Sequence, residues 1–156
     1  MEVQVLSPAQ EWLTNTFLYD TLSEVIFGIP SIMKMPFTMD ITKKKTILVA
    51  EDVGQIREMV EMVLQQMGYE VIAVPNGQAG LEAFREKSPD LIISDNDMPL
   101  LKGVEFSKLV RAEKPEALFI LMSGGEKEPA GHMANRFIFK PITLSTLKEA
   151  VTSLLS

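Results

Sequence analysis

The chain reads as a doubly wound α/β domain, a five-stranded parallel sheet with helices on both faces, preceded by an N-terminal helical extension. Three observations predict this. From Thr46 onward, short apolar runs of β type alternate with stretches whose apolar residues recur at helical spacing, which is the pattern of a parallel sheet covered on both sides. Four of the runs lead into polar residues: Glu51 and Asp52 after Ile47-Leu48-Val49-Ala50, Asp95 after Leu91-Ile92-Ile93-Ser94, Ser123 after Leu118-Phe119-Ile120-Leu121-Met122, and Lys140 after Phe137-Ile138-Phe139. Ligands of open parallel sheets gather where strands end. Finally, 156 residues suffice for one ordinary domain with a core, but hardly for two.

The elements follow in order. Strands are predicted over Thr46 to Ala50, Glu70 to Val74, Leu91 to Ser94, Leu118 to Met122 and Arg136 to Phe139. Between the first two, Ile56, Met59, Val60, Val63, Leu64 and Met67 recur at three- and four-residue steps and form one apolar stripe, which Gly68 stops. Asn76-Gly77 makes a turn before a helix carrying Leu81 and Phe84. Gly103 opens a helix carrying Phe106, Leu109 and Val110, and Thr143 caps the last, with Leu147, Val151 and Leu154 facing inward. The fourth helix of this βα series belongs between Gly124 and Asn135. That stretch holds Gly124-Gly125, Pro129 and Gly131 and has no apolar stripe, so a reduced, short or irregular helix is expected there.

Residues 1–45 differ from the remainder. Ser7-Pro8-Ala9-Gln10 resembles a capping box with proline at the first helical position, and Gly28 followed by Pro30 ends a helix expected over 8–27, with a linker up to residue 45. Trp12, Leu13, Phe17, Leu22, Val25, Ile26 and Phe27 give it apolar surface that docks on the sheet domain or on a second copy, as a homodimer. Met33, Met35 and Met39 support the other reading, an upstream extension of a protein that begins near Met39.

Composition narrows the function. A net charge of −6 and a pI near 4.9 oppose tight sequence-independent binding to nucleic acid, which relies on Lys and Arg neutralising phosphates. With no cysteine and one histidine, there is no disulfide framework, no thiol nucleophile, and no basis for a zinc site of thiolates or imidazoles. The start Met1-Glu2 lacks the basic residues of a secretory signal, and no apolar stretch is long enough to span a bilayer, so a cytoplasmic protein is expected.

Acids at 51, 52 and 95 gathered at one sheet edge repel one another unless a cation sits among them, and carboxylate oxygens favour Mg²⁺ or Mn²⁺ over softer metals. An aspartate oxygen can attack phosphorus to give an aspartyl phosphate. The transferring group spreads negative charge on its outer oxygens, and Lys140, the Ser123 hydroxyl and the metal are suited to stabilise it. Taken singly, Asp52 is a common type of helix cap, Ser123 a common turn residue and Phe137 a common core residue. Their joint register with Asp95 and Lys140 favours chemistry. Asp97 faces either the site or solvent, and His132, in the irregular stretch, is expected at the surface.

Taken together, Ile47-Leu48-Val49-Ala50-Glu51-Asp52, Asp95-Asn96-Asp97-Met98-Pro99 with Gly103, Met122-Ser123-Gly124 and Phe139-Lys140-Pro141 resemble the response-regulator receiver domain of two-component signalling, over Lys45 to Ser156. The resemblance implies a flavodoxin-like sheet of order 2-1-3-4-5 and a receiver domain over 46–156. It implies that Asp95 accepts a phosphoryl group from the phosphohistidine of a histidine kinase or phosphotransfer protein. Glu51 and Asp52 are then the acid pair with Asp52 on the metal, the backbone carbonyl of Asp97 is a further ligand, Lys140 binds the phosphoryl group, and Ser123 and Phe137 are the switch hydroxyl and aromatic. The implied protein is a single-domain receiver that catalyses only its own phosphorylation and dephosphorylation and signals to a downstream protein, with no nucleic-acid or membrane partner. The spacing from Ser123 to Lys140 is several residues shorter than the family pattern, and the N-terminal extension lies outside it. A rival reading takes Asp95-Asn96-Asp97 as the D-x-D of an aspartate-nucleophile phosphohydrolase of the haloacid dehalogenase type. Against it, Met98-Pro99 replaces the expected polar continuation, and too little chain remains for a substrate cap.

Overall fold

The structure, a computed structural model, describes residues 44–156; the helix expected over 8–27 and most of its linker fall outside the described residues. The element order is β1 (Thr46–Ala50), α1 (Gly54–Gln66), β2 (Glu70–Val74), α2 (Gly77–Lys87), β3 (Leu91–Asp95), α3 (Gly103–Glu113), β4 (Leu118–Ser123), β5 (Arg136–Phe139) and α4 (Leu144–Leu155). All pairings are parallel and the sheet order is β2-β1-β3-β4-β5. The order reverses at β1, so the C-terminal ends of β1 and β3 lie side by side, with Ala50 opposite Ser94 in register. That is where a crevice opens in such sheets.

Strand alternation sends successive side chains to opposite faces, and both faces are buried. Ile47, Val49, Leu91, Ile93, Ile120, Met122 and Ile138 pack against Val60 and Leu64 of α1 and Leu147 and Val151 of α4. Leu48, Ala50, Ile92, Phe119 and Leu121 pack against Leu81 and Phe84 of α2 and Phe106 and Val110 of α3. This is why the strands read as continuous apolar runs. At roughly 1.5–3 kcal/mol for each fully buried large side chain, these two layers are what fixes the strand ends relative to one another.

The helix boundaries have local causes. Asn76 is the N-cap of α2 itself, its side chain accepting from the Ala79 N–H at 2.8 Å, and does not form a separate turn before the helix. Thr143 caps α4 by accepting from Thr146 N–H at 3.1 Å, as expected. Gly68 has φ +93°, the left-handed conformation that stops α1. The α1 stripe is narrower than its periodicity suggests, because Met59 is 42% exposed.

Between β4 and β5 the expected reduced helix is reduced to turns: no helix forms over 124–135. Hydrogen bonds to side chains replace it. The Met133 N–H donates to Ser107 Oγ at 3.0 Å, and Arg111 Nη2 donates to the Met133 carbonyl and to Asn135 Oδ1, both at 2.9 Å. Asn135 also joins β4, giving its N–H to the Phe119 carbonyl at 2.8 Å and accepting from the Phe119 N–H at 2.9 Å. His132 is a correction to the expectation of a surface residue. Its side chain is 14% exposed, its Nε2 lies 2.6 Å from Glu128 Oε1, and its ring stacks on Phe137 at 6.2 Å.

Candidate functional site

β3 and β4 each run one residue further than the apolar runs indicate, so Asp95 and Ser123 are themselves the last residues of their strands. Asp95 is 3% exposed, Ser123 2% and Glu51 0%, whereas Asp52 and Asp97 are exposed. Carboxylate oxygens of Glu51, Asp52 and Asp95 lie within 4.8 Å of one another. Lys140, just after β5, reaches across: its Nζ donates to Glu51 Oε2 at 2.8 Å and lies 2.9 Å from Asp95 Oδ1. The peptide bond from Lys140 to Pro141 is cis.

Asp95 Oδ1 is ion-paired with the ammonium yet meets no hydrogen bond of good geometry, the one such buried side-chain atom among the described residues. The other oxygen, Oδ2, accepts from the Asp97 N–H at 3.0 Å. Burial raises the Glu51 carboxyl above its usual range; Lys140 opposes this, and the charge of Asp95 adds to it. Burial alone would lower Lys140, but its contacts with Glu51 and Asp95 outweigh that and raise it, so the lysine is a firm cation. An all-oxygen donor set and three carboxylates facing a single ammonium together fit a hard divalent cation such as Mg²⁺ or Mn²⁺.

Ser123 is brought beside Asp97 and makes no side-chain hydrogen bond to Asp95. Its Oγ donates to Asp97 Oδ2 at 3.4 Å and accepts from the Gly125 N–H at 3.3 Å. Asp97 is outside the carboxylate cluster, its other oxygen accepting from Asn96 Nδ2 at 3.1 Å. Phe137 lies farther along β5, half-buried between the His132 ring and an edge-on Phe139 at 4.7 Å.

One supporting residue was not foreseen, and another, Gly103, was singled out without its packing role. Arg57 of α1 donates to the backbone carbonyls of Glu51 at 2.7 Å and Asp52 at 3.4 Å, fixing the turn that presents the acid pair. Its one visible signal is that it is the only basic residue in α1. Gly103 was read as a helix opener, but its reason is contact: a Cβ there would stand 2.3 Å from the Asp95 carbonyl oxygen and 2.8 Å from Asn96 Cα. The start of α3 thus presses against the backbone of Asp95. Beside Lys140, a groove of about 460 Å³ is lined by Ile56, Met59, Pro141 and Ile142.

Comparison with known proteins bears on the fold and the family. The chain is 29% identical over 110 residues to the autoinducer 1 sensor kinase/phosphatase LuxN of Vibrio harveyi, a match covering 68% of this chain but 13% of that protein. It is 37% identical over 84 residues to the probable transcriptional regulator ycf27 of Pyropia yezoensis, covering 54% of this chain and 35% of that one. The chain therefore spans only a minor part of these curated relatives. Among solved structures, the response regulator TrrA of Thermotoga maritima in complex with Mg(2+)-BeF is 33% identical, with a TM-score of 0.67 over 71% of this chain and 99% of that one. A complex of histidine kinase ThkA with TrrA matches at 34% identity and a TM-score of 0.67, over 72% of this chain and 99% of the matched one. The profile of the response regulator receiver domain matches residues 47–152, and the chain belongs to that family.

Proposed function

We propose that Asp95 accepts a phosphoryl group from the phosphohistidine of a histidine kinase or phosphotransfer protein, and that the phosphorylated receiver signals through protein contacts. The observation that carries this reading is Asp95 itself: a buried carboxylate at a strand end, faced by a lysine and two further acids, with one oxygen lacking an in-line hydrogen bond. In the transfer an Asp95 carboxylate oxygen forms the new bond to phosphorus as the phosphorus–nitrogen bond breaks, and the imidazole leaves with the electron pair and takes up a proton. Lys140 is already placed 2.9 Å from Asp95 to meet the negative charge of the arriving group. Ser123 supplies a hydroxyl on the other side, and Phe137 responds to its movement.

Glu51, Asp52, Asp95 and the Asp97 backbone carbonyl are the groups we assign to holding Mg²⁺ or Mn²⁺. When bound, a divalent ion screens the acids from one another and from the phosphoryl oxygens. TrrA, which shares the fold, has been solved with Mg(2+)-BeF and with histidine kinase ThkA, and both support the metal and the class of donor assigned here. The apolar groove beside Lys140 offers a docking surface next to the acceptor for such a donor. The test is incubation with a small phosphodonor and Mg²⁺. Wild type should take up about one phosphoryl group per chain and lose it slowly, while Asp95→Asn, nearly isosteric but unable to attack, should take up none. Uptake by the variant, or repeated turnover of phosphomonoesters, would overturn the assignment.

A further inference from the structure

Ser123 has a single proton to donate, and the acceptor its Oγ faces in this structure is Asp97 Oδ2, in a long contact of 3.4 Å, with no hydrogen bond to Asp95. The bond belongs to a chain of donors that converges on the Asp97 carboxylate from both sides. The Val104 N–H at the start of α3 donates to Asn96 Oδ1 at 3.3 Å, and Asn96 Nδ2 donates to Asp97 Oδ1 at 3.1 Å. Ser123 Oγ donates to Asp97 Oδ2 at 3.4 Å, and Gly125 N–H donates to Ser123 Oγ at 3.3 Å. Asp97 is pinned beside the acceptor because its own N–H holds Asp95 Oδ2 at 3.0 Å. An exposed acid therefore bridges α3 to the segment after β4 through the hydroxyl that the transferred group needs.

We propose that Asp97 is a latch: its carboxylate holds the Ser123 hydroxyl away from Asp95 in the unphosphorylated protein. This deepens, and rests on, the phosphoacceptor reading above. A phosphoryl group on Asp95 places anionic oxygens near the Asp97 carboxylate and competes for the same proton. Both effects favour release of the latch, which frees Ser123 and removes one tie between the start of α3 and the end of β4, while the bonds of Ser107 and Arg111 to Met133 and Asn135 remain. Asp97 acts through Ser123 and is a positioning residue.

The probe is beryllofluoride with Mg²⁺, titrated against the full chain. Asp97→Ala should bind it roughly fivefold more tightly than wild type, the scale of one weak hydrogen bond. Asp97→Asn, which removes the charge but keeps an acceptor, should gain less. In a Ser123→Ala background the gain from Asp97→Ala should shrink to that of the charge alone, matching Asp97→Asn; equal gains in both backgrounds would overturn the latch. A second measurement needs no ligand. In the metal-free protein, Asp97→Ala should shift the Gly125 amide resonance, and should leave it in place once Ser123→Ala is present. A Gly125 resonance that ignores Asp97→Ala contradicts the proposal. If wild type binds no beryllofluoride, the phosphoacceptor reading fails while the amide measurement still decides the latch.

Discussion

Glu51 is wholly buried beside two other acids, and its bond to Lys140 does not fully offset the cost of that burial, so its carboxyl titrates above the ordinary 4.5 in the folded state. The native protein then retains a proton that the unfolded chain gives up. The sign follows: the contribution of Glu51 is fully present below about pH 4.5 and is lost as pH rises through its raised folded value. In chelator, the stability of wild type relative to Glu51→Gln should therefore decline as pH rises from 4.5, followed by urea unfolding; a difference that grows with pH contradicts it. Asp52 is exposed and contributes charge to the same cluster. Asp52→Ala should weaken Mg²⁺ binding by roughly tenfold or more, since opposite unit charges about 4 Å apart are worth ~1 kcal/mol in water and more near a protein surface. Calorimetric titrations that coincide for the two proteins would remove Asp52 from the ligands. The acids, Lys140 and Ser123 were legible because each follows an apolar run. The Arg57 clamp and the Asn96–Asp97–Ser123 chain were not, because they depend on residues that only the closed sheet brings together.

α3 begins against the backbone of Asp95. A methyl at Gly103 meets the Asp95 carbonyl oxygen at 2.3 Å, Leu121 Cδ1 at 2.6 Å and Asn96 Cα at 2.8 Å, and two of these are main chain that cannot step aside. Gly103→Ala should cost about 3 kcal/mol, the upper range for overpacking, and should slow phosphoryl uptake by displacing Asp95. A loss under about 1 kcal/mol by denaturant melt would show that α3 yields freely. At this scale the sequence was most readable in the strands, whose two-sided burial leaves unbroken apolar runs, and in α4, capped by Thr143. The β4–β5 connection was only half readable. Gly124, Gly125, Pro129 and Gly131 announced the lack of a full helix, but the pinning of the segment by Ser107, Arg111 and Asn135, and the burial of His132 on Phe137, leave no periodic signal.

At the scale of the molecule, the reversal of strand order between β2-β1 and β1-β3 sets Glu51, Asp52 and Asp95 side by side, and β5 brings Lys140 to the same edge. Every residue assigned to the site lies beyond Met39. A chain shortened to begin there should retain Mg²⁺-dependent phosphoryl uptake at the wild-type level, and loss of uptake on shortening would give residues 1–38 a part in the site that their sequence does not suggest. No described helix is long and apolar enough to cross a membrane. The central claim is that Asp95 carries the phosphoryl group, and the most direct measurement is to phosphorylate the full chain in Mg²⁺, reduce the acyl phosphate with borohydride and locate the altered residue by tandem mass spectrometry. The reduced side chain should be at residue 95 and should vanish when Mg²⁺ is chelated before phosphorylation; reduction at Asp52 or Asp97, or at no carboxylate at all, would contradict it.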